Sequence, residues 1–136
     1  AGAQVVVTGR SHDRLAAMRE AGFEAVECDL STPAGIDTLV NAMAARPLAL
    51  LVNNAGSGSI YDPDRINSLE DASACIRLNL DAPIQLTTRL LPQLRAQPVA
   101  AVVNVTSGLA IAPRAGGSVY CATKAGLRSW TQALRY

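Results

Sequence analysis

Ser107, Tyr120 and Lys124 are the residues of this sequence whose types and spacing suit proton transfer. Tyr120 and Lys124 are separated by one helical turn, so on a helix they would lie on the same face. A cation beside a phenol favours the phenolate and lowers the pKa of the phenol toward the working pH. A hydroxyl at Ser107 could then hold a substrate oxygen while Tyr120 gives or takes its proton. The alternative is an amphipathic Tyr–Lys pair on a helix face without a catalytic role.

A strand and a helix must position these three side chains. Residues 99–105 form an apolar, β-branched run, which predicts a buried parallel strand. Ser107 follows just past the carboxyl end of this strand, where open α/β sheets place their ligands. Tyr120 opens the helical segment that comes next. Further along, this segment carries an apolar face suited to core or subunit packing, formed by Leu127, Trp130 and Leu134.

The first half of the chain alternates short apolar runs with helical segments. Strands are predicted over residues 4–8, 23–28 and 48–52. Ser11 caps a helix between the first two strands, and Ser31 or Thr32 caps a helix between the second two. This alternation predicts an α/β fold built on a Rossmann-like, doubly wound parallel sheet. With 136 residues, the chain is expected to form one domain at most.

The apolar positions of the two helices predict which faces are buried. In the first helix, Leu15 and Met18 are expected to point inward, and Gly22 to end the helix. The second helix carries apolar residues at positions i, i+3, i+4 and i+7, which is typical of a one-sided buried face. These residues are Ile36, Leu39, Val40 and Met43.

Four motifs, in order along the chain, resemble the short-chain dehydrogenases/reductases. Tyr120 and Lys124, with Ser107 upstream, resemble the Tyr-x-x-x-Lys signature of the family and its Ser. The stretch Asn-Asn-Ala-Gly at residues 53–56 follows an apolar run, as the same motif follows the fourth strand in the family. Asn79, in Arg-Leu-Asn-Leu, stands where the family places its catalytic Asn.

The resemblance implies hydride transfer between a nicotinamide cofactor and a carbonyl or alcohol substrate. Tyr120 would be the acid or base, Ser107 would position the oxygen, and Lys124 would favour the phenolate. Asn79 completes the implied catalytic tetrad. Residues 79–87 and 104–110 further resemble the DltE-like subgroup of the family.

Pro83 gives Asn79 a local peculiarity. Residues 69–96 are the longest helical candidate, and Pro83 within it has no N–H to donate to the carbonyl of Asn79, four residues earlier. A freed carbonyl needs water or a ligand. The resemblance implies that this carbonyl holds a water that links Lys124 to solvent in a proton relay. The alternative is a plain proline kink.

Arg10 indicates the choice of cofactor. In dinucleotide-binding folds an acidic residue near the end of the second strand bonds the ribose 2′-hydroxyl, whereas an Arg suits a 2′-phosphate. The first strand predicted here, over residues 4–8, corresponds to that second strand of the family. Gly9 stands where the acid would be, and Arg10 follows it. An Arg at this place favours NADP(H), and a solvated turn Arg is the alternative. The resemblance implies further cofactor-binding residues: Asp29 and Leu30 at the adenine, Asn53 and Ala55 at the ribose, and Tyr120 and Lys124, which are shared with catalysis.

Composition excludes several classes of function. A net charge of +1, without a cluster of Lys or Arg, gives no basis for nucleic-acid binding. No apolar run approaches the roughly 20 residues that span a bilayer, so no membrane role is expected. The three cysteines have no metal-like spacing, which indicates reduced thiols in a cytoplasmic protein and no metal site.

The sequence also departs from the family that it resembles. The glycine-rich turn that binds pyrophosphate is not found, nor is the region after the Tyr–Lys helix. We therefore expect an incomplete sheet, in a partial dinucleotide-binding domain over residues 1–136 of a longer, homo-oligomeric reductase. In the strand order 3-2-1-4-5 of the family the first strand is central, so residues 4–8 and 48–52 would flank a vacancy. A non-catalytic remnant acting as a packing or interaction module is the alternative to an enzyme.

Overall fold

The computed structural model describes residues 2–58, 61–66 and 68–135 of the chain. Strands and helices alternate, so the predicted α/β fold is confirmed. In chain order the elements are β1 (Val6–Gly9), α1 (His12–Glu20), β2 (Glu24–Glu27), α2 (Pro33–Met43), β3 (Leu50–Asn53), α3 (Ser68–Ile76), a π-helical turn (Arg77–Asp81), α4 (Ala82–Arg95), β4 (Ala101–Asn104), a 3-10 turn (Gly108–Ala110) and α5 (Ser118–Ala133).

The four strands form two parallel pairs. In the first pair β1 lies beside β2, and in the second β3 lies beside β4. Within the described residues the two pairs are not hydrogen-bonded to each other. Strands β1 and β3 overlap the two runs that are expected to flank a missing central strand. The arrangement is that of an incomplete Rossmann-like sheet.

The β3–β4 pair is covered on one face and open on the other. Helices α4 and α5 lie on the covered face, where Thr87 and Thr131 reach the strand residues Asn53 and Asn104. On the opposite face Leu50, Val52 and Val103 are 53%, 49% and 44% exposed. Successive strand residues point to opposite faces, so these side chains share one face. The predicted parallel strand is confirmed as β4, although it is shorter than residues 99–105. The prediction that this strand is buried is wrong, because helices cover only one of its faces.

The main hydrophobic core forms where α2 packs against α4. Three of the four residues predicted on the buried face of α2 are buried, and Val40 is partly buried against the same cluster. In α1 the prediction is confirmed for Leu15, which is 4% exposed, and wrong for Met18, which is 37% exposed. Met18 lines an open cavity beside β1, which leaves its side chain partly exposed. The cluster comprises Cys28, Leu30, Ile36, Leu39, Met43, Ala82, Leu86 and Leu90.

Local hydrogen bonds decide where α1 and α2 begin. Ser11 caps α1, because its Oγ accepts a hydrogen bond from the N–H of Arg14 at 3.4 Å. Of the two candidates for α2, Thr32 is the cap, and its Oγ1 accepts from the N–H of Gly35 at 3.1 Å. Ser31 instead donates its hydroxyl to Asp29 Oδ1 at 2.7 Å. Both short polar side chains are thus used to join the end of β2 to α2.

Gly35→Ala is expected to destabilise the chain, because a Cβ at this position would lie 1.9 Å from the carbonyl oxygen of Asp29. The obstacle is backbone, so the first turn of α2 must move away from the end of β2. Overpacking of this kind costs about 1–3 kcal/mol or more. Urea unfolding measures the loss. Gly108→Ala is the control, since a Cβ there meets nothing within 4 Å; equal stability of the two variants would contradict the prediction.

The three cysteines, Cys28, Cys75 and Cys121, are buried free thiols, as expected. Burial raises the pKa of Cys28 and of Cys75. In the part of the chain that the structure describes, no helix is long and apolar enough to cross a membrane.

Candidate active site

Ser107 and Tyr120 line one cavity at the carboxyl end of β4. Ser107 follows the strand, and its Oγ accepts a hydrogen bond from the N–H of Leu109 at 3.2 Å, which caps the 3-10 turn. Tyr120 lies in the first turn of α5, which begins at Ser118, slightly earlier than predicted. The structure therefore brings the predicted hydroxyl and phenol together. The cavity, of about 350 Å³, is lined by Gly58, Ser107, Leu109, Arg114, Gly117 and Tyr120.

Lys124 lies one turn further along α5, behind Tyr120. Its Nζ is 5.8 Å from the centroid of the Tyr120 ring, within the range of a cation–π contact. The residue is only 4% exposed, and Nζ donates a hydrogen bond to the carbonyl oxygen of Val105 at 2.9 Å. Burial lowers the pKa of Lys124, and the nearby Cys75 thiol acts in the opposite direction.

Lys124→Met tests the cost of burying this ammonium. Because the folded chain lowers the pKa of Lys124 from 10.5, the unfolded chain binds more protons between the lowered value and 10.5. The free energy of unfolding of the wild type, relative to Lys124→Met, is therefore expected to rise with pH through that window. Urea unfolding from neutral to alkaline pH measures it. Arg128 is exposed, so Arg128→Met is the control. A difference in the free energy of unfolding between the wild type and Lys124→Met that does not change with pH would contradict the prediction.

Asn79 is fully buried, and its side chain holds the loop that follows β3. Oδ1 accepts from the N–H of Ser57 at 2.9 Å, and Nδ2 donates to the carbonyl oxygen of Ser57 at 2.8 Å. Nδ2 also lies 3.3 Å from Thr123 Oγ1 on α5. Thr123 in turn donates its hydroxyl to the carbonyl oxygen of Tyr120 at 2.7 Å. One amide side chain thus ties the loop, the π-helical turn and α5 together.

Gly56 shows how closely Asn79 and Lys124 approach each other. A Cβ added at Gly56 would lie 3.2 Å from Asn79 Oδ1 and 3.5 Å from Lys124 Nζ. The last residue of the Asn-Asn-Ala-Gly motif therefore lies between two residues of the predicted tetrad. All four tetrad residues lie around the carboxyl ends of β3 and β4.

The long helical candidate over residues 69–96 is not a single α-helix. It is interrupted by the π-helical turn at Arg77–Asp81, where the N–H of Ala82 donates to the carbonyl oxygen of Arg77. Pro83 follows in the first turn of α4 and has no N–H for the carbonyl of Asn79. π-Helical turns are rare in proteins, and those that occur are often found at functional sites. The irregularity expected at Asn79 is present, as a wider turn.

Arg10 lies at the end of β1, beside Asp29 at the end of β2. Its Nη1 is 3.4 Å from Asp29 Oδ2, and the Arg10 side chain is 65% exposed. Hydrogen bonds from Ser31 are the main cause that lowers the pKa of Asp29, with Arg10 adding to them. Arg10 also lines a second cavity, together with Ser11 and Arg14. Two arginines therefore border one cavity at the start of α1.

The other predicted cofactor residues differ in how open they are. Leu30 is buried in the hydrophobic core, so its side chain does not face a cavity. Asn53 is 7% exposed, and its Nδ2 donates to Asn104 Oδ1 at 2.7 Å and to Thr87 Oγ1 at 3.2 Å. Ala55 is exposed in the loop after β3. As the structure stands, Ala55 and Asp29 are more accessible than Leu30 and Asn53.

The sequence patterns missed four residues that shape these sites: Ser57, Thr123, Arg14 and Arg114. Thr123 stands between Tyr120 and Lys124, inside the motif already singled out, and Ser57 directly follows the Asn-Asn-Ala-Gly stretch. Arg14 is one turn from the cap of α1. For Arg114 the signal was weaker, because its loop has no periodicity that predicts its place.

Comparison with known proteins gives the same assignment along the whole chain. The sequence profile of the family described as short chain dehydrogenase matches residues 1–136. The uncharacterized oxidoreductase DltE of Bacillus subtilis is 39% identical over 140 residues, which cover 99% of this chain and 56% of that protein. The NADP-dependent 3-hydroxy acid dehydrogenase YdfG of Salmonella typhi is 34% identical over 139 residues, covering 98% of this chain and 56% of that protein.

A solved structure supports the assignment independently. A short-chain dehydrogenase from Sphingobium yanoikuyae, in complex with NADPH, matches with a TM-score of 0.82 at 29% identity, over 95% of this chain and 54% of that chain. The chain thus spans about half the length of the proteins that it matches. Since the family profile extends over every residue and the fold agrees, the chain belongs to the short-chain dehydrogenase family.

Proposed function

We propose that this chain carries the catalytic portion of an NADP(H)-dependent oxidoreductase, which transfers a hydride between the nicotinamide and a carbonyl or alcohol substrate. The observation that carries the proposal is the shared cavity of Ser107 and Tyr120, with Lys124 buried directly behind the phenol. When bound, the cofactor supplies or accepts the hydride. The residues of this chain bind the oxygen of the substrate and move its proton.

Tyr120 and Ser107 act on the same oxygen. In reduction the Tyr120 phenol gives its proton to the carbonyl oxygen as the carbon receives the hydride, and in oxidation the phenolate takes that proton back. Ser107 holds the oxygen through its hydroxyl, which can donate one hydrogen bond. The Ser107 Oγ already accepts from Leu109 N–H, which leaves the hydroxyl proton free to point into the cavity.

Lys124 and Asn79 support the phenol from behind. The Lys124 ammonium places positive charge beside the ring, which favours the phenolate after the proton has left. One Nζ proton is used by Val105, and the remaining two are available to a cofactor hydroxyl or a water. Asn79 uses its side chain to hold Ser57, so its main-chain carbonyl, for which Pro83 has no N–H, is the group we assign to a relay water.

The cofactor end of the proposal concerns Arg10 and its neighbours. The exposed Arg10 guanidinium and Arg14 border one cavity, which fits the double negative charge of a ribose 2′-phosphate. Asp29 and Leu30 are assigned to the adenine, Leu30 through its backbone because its side chain is buried. The ribose is assigned to Asn53 and Ala55. YdfG and the Sphingobium protein, which this chain resembles, are described with NADP and NADPH.

The whole protein is proposed to act on a small molecule and to be a homo-oligomer. On α5, Ala122 and Ala125 are exposed and small enough to allow the close approach of a second subunit. Gly126 is not part of that surface, because a Cβ there would lie 3.3 Å from Leu80 of the same chain.

The test measures cofactor oxidation by the whole protein with a panel of ketones and aldehydes. The absorbance of the reduced nicotinamide reports the rate. We expect turnover with at least one carbonyl class, and faster turnover with NADPH than with NADH. Failure to bind NADPH, together with no turnover of any carbonyl, would exclude the oxidoreductase and favour a packing or interaction module.

A further inference from the structure

We propose that Arg114 determines substrate specificity at this site, by binding an anionic group that the substrate carries near its reacting carbonyl or alcohol. The anion is a carboxylate or a phosphate ester, which present the same kind of oxygen edge to a guanidinium. The inference rests on the proposed function and deepens it, since it names the class of substrate.

The position of Arg114 is the first support. It lies in the loop between the 3-10 turn and α5, and it lines the cavity that Ser107 and Tyr120 share. A Cβ added at the buried Gly117 would lie 3.5 Å from Arg114 Nε and 3.6 Å from its Cγ. The side chain therefore runs over the backbone at the start of α5, within the same cavity wall as the phenol.

The charge around the cavity is the second support. Among the described residues that line the cavity, Arg114 is the one ionised residue, and none of them is a carboxylate. In the part of the chain that the structure describes, Arg114 forms no salt bridge. Four of the other arginines each pair with a carboxylate, namely Arg10, Arg46, Arg65 and Arg89, and others such as Arg14 and Arg128 do not within the described residues. Arg114 is exposed, and its guanidinium donates no hydrogen bond to the described residues, so its donors are open to an incoming ligand.

Two-point binding follows from this arrangement. The reacting oxygen is held at Ser107 and Tyr120, and the anion at Arg114, so the substrate has few orientations left in the cavity. A volume of about 350 Å³ is at the small end of the usual range for ligand sites. The site therefore suits short oxo acids, hydroxy acids or phosphorylated ketones, and a neutral ketone of equal size lacks the second contact.

The kinetic test uses the whole protein and three small ketones: 3-oxobutanoate, dihydroxyacetone phosphate and the uncharged methyl 3-oxobutanoate. We expect kcat/KM to favour one of the anions over the neutral ester. Arg114→Met should lower kcat/KM for that anion by roughly 10- to 150-fold, the range for a lost charge-assisted contact, and change the ester little. Arg114→Lys should restore part of the loss. Arg128→Met removes the same charge from an exposed site on α5, and it should leave kcat/KM unchanged for both the anion and the ester.

A second measurement does not need turnover. The side-chain Nε–H signal of Arg114, assigned by its loss in Arg114→Met, is followed by NMR while 3-hydroxybutyrate, inorganic phosphate or neutral methyl 3-hydroxybutyrate is added. A shift with one anion alone identifies the source of the anionic group. If no ketone is reduced but the signal shifts, the proposed oxidoreductase fails and the anion site stands. The anion site is overturned if ketones are reduced but Arg114→Met changes kcat/KM equally for the anion and the ester. It is also overturned if neither anion shifts the Arg114 signal.

Discussion

Tyr120→Phe is expected to lower the turnover number of the whole protein by at least 100-fold, because a general acid–base group contributes roughly 10²–10⁴ to the rate. The substitution removes one hydroxyl from the cavity that Tyr120 shares with Ser107 and leaves the ring in place beside Lys124. The thermal midpoint should therefore change little, and the affinity for NADPH should fall far less than the turnover number. Cofactor oxidation, thermal unfolding and NADPH fluorescence titration measure these three quantities.

Tyr61→Phe is the matched control for the loss of a phenol hydroxyl. Tyr61 does not line the cavity with Ser107 and Tyr120, so its variant should retain wild-type turnover. Near wild-type turnover in Tyr120→Phe would remove Tyr120 from the mechanism. A large fall in the thermal midpoint of that variant would instead assign its effect to folding.

Arg10→Ala is expected to weaken the binding of NADPH by about 1.5–3 kcal/mol, or roughly 10- to 150-fold, and that of NADH much less. The two cofactors differ by the 2′-phosphate alone, so NADH reports any general damage. This loss of NADPH affinity should exceed the loss from removing an arginine on the open surface, because Arg10 borders a cavity together with Arg14. Fluorescence titration of both cofactors gives the two dissociation constants.

Arg89→Ala is the control for this experiment. Arg89 also pairs with an aspartate, Asp37, at 2.7 Å, but it lies on α4, away from the second cavity. Its loss should leave both dissociation constants unchanged. Equal weakening of NADPH and NADH in Arg10→Ala would show that Arg10 does not read the 2′-phosphate.

Features set by neighbouring residues were predictable. Ser11 caps α1 as predicted, and one of the two predicted candidates, Thr32, caps α2. Both hydrogen bonds span three residues, so a short stretch of sequence contains both partners. The α2 face recurs at helical spacing and is buried as predicted. The Tyr120–Lys124 spacing needs only a helix, and α5 is one. The order of strands and helices, and with it the fold class, follows from the same local patterns.

The tertiary structure alone decided what depends on residues far apart in the chain. Asn79 binds Ser57 and lies beside Thr123, which are 22 and 44 positions away, so its side-chain role follows from packing. The π-helical turn before Pro83 places Asn79 toward these partners, and α-helical periodicity does not contain it.

Tertiary packing also decided that one face of β3–β4 is open and that Arg114 lines the cavity. An apolar strand is buried only where another element covers it, and here helices cover one face, which leaves Val52 and Val103 exposed. Arg114 belongs to the cavity because its loop runs over Gly117 at the start of α5. The sequence by itself determined the fold class and predicted the reacting residues, since their signals are local. Which groups face them was decided by tertiary packing, because those contacts join distant segments.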